Sequence, residues 1–134
     1  MPKRKQKTIA GLLEDAAKLL QRIRRIESAD ESGYCVCVTC GKVDHWKNME
    51  GGHWIPRTKT ATKIEPTNIH PQCNSCNHFR KEEAAPKYAQ YMYNTYGKSH
   101  CDMLLDLSTK SIKRNRVTLL EIIDQHKKRL AEIE

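Results

Sequence analysis

Four cysteines fall into two pairs, Cys37-Val38-Thr39-Cys40 followed by Gly41, and Cys73-Asn74-Ser75-Cys76, with 32 residues between them. In a tight turn, Cys-x-x-Cys spacing lets two thiolates reach one ion. Two such turns complete a tetrahedral four-sulfur zinc site, closed to water and therefore structural. A redox pair needs one such turn in a βαβ setting, which this sequence lacks. Cys35 offers a third thiolate on the same side of a strand as Cys37, but only Cys37 is correctly spaced from Cys40. Cys101 reads as a small buried hydrophobe.

The remaining chemistry gathers between and just after the pairs. The segments are Glu50-Gly51-Gly52-His53-Trp54-Ile55-Pro56-Arg57, Asn68-Ile69-His70-Pro71-Gln72 and Asn77-His78-Phe79-Arg80-Lys81. These types suit phosphodiester hydrolysis. A neutral histidine takes a proton from water near pH 7, and the Asn77 amide oxygen is a hard ligand for Mg²⁺ or Mn²⁺. If Cys76 opens a helix, Asn77 sits in its first turn with Arg80 and Lys81 on the same face, where both meet a DNA backbone. Arg57, Lys59 and Lys63 lie in a polar loop and touch phosphate or simply solvate it. His70 is open between holding the loop, binding metal and packing on the knuckle. Asp44-His45 imitates a catalytic pair but falls in the lead-in to the first strand, and Trp46 and Trp54 read as packing residues.

Those residues need elements to carry them. From Thr8 to Ala29, Ile9, Leu12, Leu13, Ala16, Leu19, Leu20, Ile23 and Ile26 recur at helical spacing, with Lys18, Arg22 and Arg25 on a basic outer face. Tyr34 to Cys37 reads as a short strand. Pro86 suits the first position of a helix bearing Tyr88, Tyr91, Met92 and Tyr96 and closed by Gly97. The apolar stretch Met103 to Leu107 precedes a basic loop from Ser108 to Arg116, and Thr118-x-x-Glu121 has the capping-box pattern for a last helix. The expected organisation is one α+β domain: a basic tail over 1–7, an N-terminal helix over 8–29, the zinc core over 34–85 and C-terminal helices over 86–134.

Composition agrees with one domain. The chain has 134 residues, 38% hydrophobic and 6% aromatic, enough for one modest core. Lys and Arg number 24 against 16 Asp and Glu, a formal charge of +8 that points to a polyanionic partner, nucleic acid first. No apolar run spans a membrane and no secretory-type stretch follows the basic N-terminus, so a cytoplasmic setting is expected. A non-catalytic, zinc-stabilised DNA-binding module, its histidines serving structure, is the competing reading.

The order Cys-x-x-Cys-Gly, Gly-His, Asn-x-His-x-x-Cys-x-x-Cys-Asn resembles the HNH, or ββα-metal, endonucleases. From Tyr34 to Lys81 it is closer to the NinG (Rap) recombination proteins of lambdoid phages, and phage endonuclease VII is more distantly similar. The resemblance implies a zinc-supported HNH core flanked by helices, with His53 as general base, Asn68 as the asparagine that steadies the loop, and Asn77 as a ligand of a catalytic Mg²⁺ or Mn²⁺. One position departs: many members carry Asp or His just before the base, and here it is Gly52. Glu50 is the nearest acid and faces away from His53 on a regular strand unless Gly51-Gly52 bulges; it is carried as a ligand, with His70 or His78 as substitutes. The activity implied is metal-dependent, structure-specific cleavage of branched DNA such as Holliday junctions and D-loops, in the bacterial host cytoplasm. Phage or host recombination proteins are the implied partners, and a homodimer is the assembly that symmetric cutting calls for. A sequence-specific HNH nuclease is a further alternative.

Overall fold

The computed structural model describes residues 6–134, so the basic tail through Lys5 lies outside the described residues. Thr8 starts the first helix: its Oγ1 accepts the Gly11 N–H at 3.0 Å, the usual N-cap bond. Helix α1 then runs Ile9–Ser28 and buries Leu12, Leu13, Ala16, Ala17, Leu20 and Ile23. Its basic residues do not form one solvated face. Arg25 turns inward, donating to the carbonyls of Trp46 (3.3 Å) and Met49 (2.9 Å), while Arg22 lies 5.1 Å over the Trp46 ring.

Two short antiparallel hairpins follow. Strands β1 (Tyr34–Val36) and β2 (Val43–His45) form one, and β3 (Glu50–His53) and β4 (Ile69–Gln72) the other. The β3–β4 ladder pairs Glu50 with Gln72, Gly51 with Pro71, Gly52 with His70 and His53 with Ile69. It is unbroken, so Gly51-Gly52 forms no bulge and Glu50 keeps the face of a regular strand. Helix α1 packs on this second hairpin at very short range: a Cβ on Gly51 would lie 2.6 Å from Gln21 Cβ and 2.9 Å from its Cα.

Three helices complete the chain: α2 (Lys81–Tyr96), α3 (Lys98–Ser108) and α4 (Arg116–Ile133). Three boundaries differ from expectation. Pro86 lies inside α2 rather than at its start, where it has no N–H to give the Glu82 carbonyl. Asn115, not Thr118, caps α4, its side chain accepting the Thr118 N–H at 2.8 Å. Asn77 belongs to a separate π-helical turn, Ser75–Phe79, which Arg80 ends at φ −120°, ψ 38° before α2 begins.

The terminal helices cover each other. Leu12, Leu13 and Ala16 of α1 pack with Leu119 and Ile123 of α4, and Glu27 pairs with Arg129 at the far ends (3.0 Å), so the two run parallel. Ile55, Tyr88, Met92, Cys101 and Leu104 form the core between the β3–β4 loop, α2 and α3. Among the described residues no helix is long and apolar enough to cross a membrane.

Candidate metal centre and adjoining cleft

The first knuckle grows out of the β1–β2 hairpin. Cys37 donates its N–H to the Lys42 carbonyl (2.8 Å), and Gly41, at φ +82°, returns its N–H to the Cys37 carbonyl (2.9 Å). Only glycine holds that left-handed conformation without strain. The second knuckle follows β4 directly, with the Cys76 N–H directed at Cys73 Sγ (3.5 Å) and the Asn77 N–H bonded to the Cys73 carbonyl (3.0 Å). The sulfurs of Cys37, Cys40, Cys73 and Cys76 all lie within 4.8 Å of one another. Four soft donors so gathered, three of them buried, fit one tetrahedral zinc ion. Cys35 is buried in the middle of β1 outside this group, and Cys101 is sealed in the core, as expected of a small hydrophobe.

Beside the knuckle lies a cleft of about 320 Å³, lined in part by Gln21, His53, Gln72, Asn77, His78 and Lys81. His53, at the end of β3, places Nε2 2.8 Å from the Lys63 carbonyl. A carbonyl only accepts, so Nε2 carries the proton and Nδ1 keeps its lone pair. Burial, aided by the Arg57 and Lys63 cations, pushes this imidazole below its ordinary value, which favours the neutral form. The loop that supplies the carbonyl is itself tied down. Asn68 is fully buried; it accepts the Ile55 N–H (2.8 Å) and donates to the carbonyls of Ile55 (3.1 Å) and Thr62 (3.2 Å). Arg114 reaches across from the α3–α4 loop to the carbonyls of Thr60 (3.0 Å) and Ala61 (3.2 Å).

Glu50 pairs with His78 Nε2 at 2.7 Å and accepts from Asn74 Nδ2 at 3.3 Å. On the unbroken strand it shares a face with Gly52, two residues on, and not with His53. The side chain of Gln72, cross-strand from Glu50, lies over Gly52: a Cβ there would stand 1.8 Å from Gln72 Oε1. Gln72 is buried, and its Nε2 donates to Thr39 Oγ1 (3.3 Å), which lies 3.3 Å from Cys37 Sγ. Neither Gln72 nor the Lys63 carbonyl was legible as part of a site, because cross-strand register and loop path are not written locally.

Several expected roles change. His70 is not placed as a metal ligand, since Nδ1 meets the Tyr88 hydroxyl (3.1 Å) and Nε2 the Tyr96 hydroxyl (2.7 Å). Glu50, His70 and Asn77 are thus not brought to one point; among the described residues the cysteines form the one cluster of three or more His, Cys, Asp or Glu residues close enough for an ion. Arg57 and Lys63 both pair with Glu14 of α1, which they hold down at about 2, Lys63 contributing most, and the three keep one net positive charge. Arg80 folds back on Ser75 Oγ (3.0 Å) and, with Asn77 in the separate π-helical turn, shares no regular helix face with it. Lys81 remains on the cleft wall. His45 accepts the Lys47 N–H (3.2 Å) and Asp44 the His45 N–H (2.7 Å), so that pair shapes a turn.

Fold and site together define a mixed helix and small-sheet protein built round a four-cysteine knuckle with a polar cleft against it. The family model described as Bacteriophage Lambda NinG protein matches residues 1–134, and the chain belongs to this NinG family. No curated protein and no solved structure matches it.

Proposed function

We propose that the chain is a zinc-supported, metal-dependent DNA endonuclease of the HNH kind, acting on branched recombination intermediates such as Holliday junctions and D-loops. The observation that carries this reading is His53, whose Nε2–H is held by the Lys63 carbonyl while Nδ1 is left basic at a cleft wall. That is the arrangement of a general base: one nitrogen fixed by a carbonyl, the other ready for the proton of an attacking water. Asn68 and Arg114 hold the loop that orients it. Lys81 supplies positive charge for the phosphodiester. The preference for branched DNA is carried over from the family resemblance.

A catalytic divalent ion is part of this reading. Asn77, with a hard amide oxygen, and His78 line the same cleft, and Glu50 is bonded to His78 (2.7 Å); these are the residues that would hold Mg²⁺ or Mn²⁺. Such an ion supplies charge neutralisation at the phosphate and at the leaving 3′-oxygen.

A plasmid-nicking assay in Mg²⁺ tests the proposal. The protein nicks, His53→Ala lowers the rate by roughly 10²–10⁴-fold with stability retained, and a four-way junction is cut in preference to its linear duplex arms. DNA binding without any nicking under Mg²⁺ or Mn²⁺ returns the chain to the competing reading, a non-catalytic zinc module.

A further inference from the structure

Phe79 is the only phenylalanine in the chain, and 80% of its surface is exposed. A small protein with one Phe has every reason to bury it, since burial of such a ring is worth about 1.5–3 kcal/mol. Its position explains the exception. Phe79 closes the π-helical turn Ser75–Phe79, between His78 and Lys81, both of which line the cleft. The His78 ring stands 6.5 Å away at 65°, edge to face, so it does not stack over the Phe79 face. Behind the ring, the turn is anchored through the Arg80 N–H to the Ser75 carbonyl (2.8 Å), the Arg80 guanidinium to Ser75 Oγ, and Cys73 and Cys76 in the knuckle. The ring is therefore an exposed apolar plate on a hydrogen-bonded turn whose neighbouring residues, His78 and Lys81, line the cleft.

We propose that Phe79 is a stacking platform for an unpaired base, which gives the cleft its preference for DNA with a branch or a single-stranded segment. This rests on the reading of the cleft as a DNA site. A base has a π-face of matching size, and stacking on an aromatic side chain is worth about 1–3 kcal/mol per base without regard to sequence. In continuous duplex every base is already stacked on its neighbours, and inserting a ring costs unstacking. At a branch point that cost is reduced, so the same ring discriminates by shape. Lys81, on the cleft wall two residues from Phe79, is in no ion pair among the described residues, which leaves a cation for the backbone of the strand that delivers the base.

The test uses the zinc-loaded full chain carrying His53→Ala, so that substrate survives, with a four-way junction bearing 2-aminopurine at the branch and a matched duplex. Binding changes the 2-aminopurine fluorescence in the junction and leaves it unchanged in the duplex. Adding Phe79→Ala abolishes that change and weakens junction affinity by about 5- to 150-fold, the equivalent of the stacking range, while duplex affinity moves less than about twofold. Phe79→Trp retains both signals and Phe79→Leu, equally apolar but without a π-face, does not. Unchanged junction affinity in Phe79→Ala, an equal loss on duplex, full rescue by leucine, or no DNA binding at all would overturn the proposal. Cleavage is read separately on the otherwise native chain: if it nicks nothing in Mg²⁺ while the fluorescence pattern holds, the nuclease reading falls and the stacking platform stands.

Discussion

At the scale of single residues, His70 illustrates how a histidine beside an active-looking motif becomes a structural part. The Tyr88 hydroxyl has one hydrogen and gives it to the Gly52 carbonyl (2.7 Å), so it accepts from His70 Nδ1–H; Nε2 must then accept from Tyr96. Arg24 donates to the Tyr96 oxygen (3.4 Å), completing a polarised chain that ends one residue from His53. Burial first, and Arg24 second, push His70 down to about 3. Because the folded value lies below the ordinary 6.5, this histidine contributes stability that is fully present above pH about 6.5 and is lost as the pH falls toward 3. The loss is at most about 1.4 kcal/mol per pH unit. His53 and His126 are lowered by burial as well and act in the same direction. In urea unfolding from pH 7 to 4, His70→Gln, which keeps partners for both tyrosines, is expected to flatten the slope by about one proton's worth; an unaltered slope would show that His70 titrates normally.

At the scale of elements, the site depends on two close approaches. Helix α1 lies so near β3 that Gly51 meets the backbone of Gln21. Gly51→Ala is expected to force the helix off the hairpin and to cost about 1–3 kcal/mol, as overpacking does, read as a lowered denaturation midpoint. The second approach is the α3–α4 loop, where Arg114 satisfies two carbonyls of the turn Thr60–Thr62. Arg114→Ala leaves those carbonyls to water and is expected to cost about 0.5–1.5 kcal/mol. Because the next carbonyls serve Asn68 and His53, the same variant should lower the nicking rate more than it lowers DNA affinity. Arg114→Lys, a single point donor, should recover only part of the rate.

At the scale of the whole molecule, three small clusters replace one large core: the knuckle with Met49 and Ala84, the α1–α4 contact, and the packing of α2 on α3 and Ile55. The knuckle joins β1–β2 to β4 and to the turn that carries Asn77, so metal affinity there is folding free energy. One tightly held zinc per chain is expected by elemental analysis of protein purified without added metal. Cys73→Ser, or a strong chelator, should collapse the far-ultraviolet helical signal. A folded chain without zinc, or one holding none, would refute this.

Much of this was determined by local sequence. The four-cysteine cluster was legible because Cys-x-x-Cys encodes a knuckle within four residues, and α1 because its apolar period is contiguous. Asn68 was legible as a loop-holding residue through the motif that carries it. Tertiary structure decided what depends on partners distant in the chain. Glu14 pairs with Arg57 and Lys63, the first 43 residues away, two tyrosines claim His70, and α4 packs on the apolar face of α1. Pro86 misled because proline favours the first turn of a helix, and only the tertiary structure shows that the helix has already begun at Lys81. The side chain over Gly52 was beyond reach for a related reason: cross-strand register is set by the whole hairpin, and no residue beside Gly52 in sequence specifies that Gln72 will lie there.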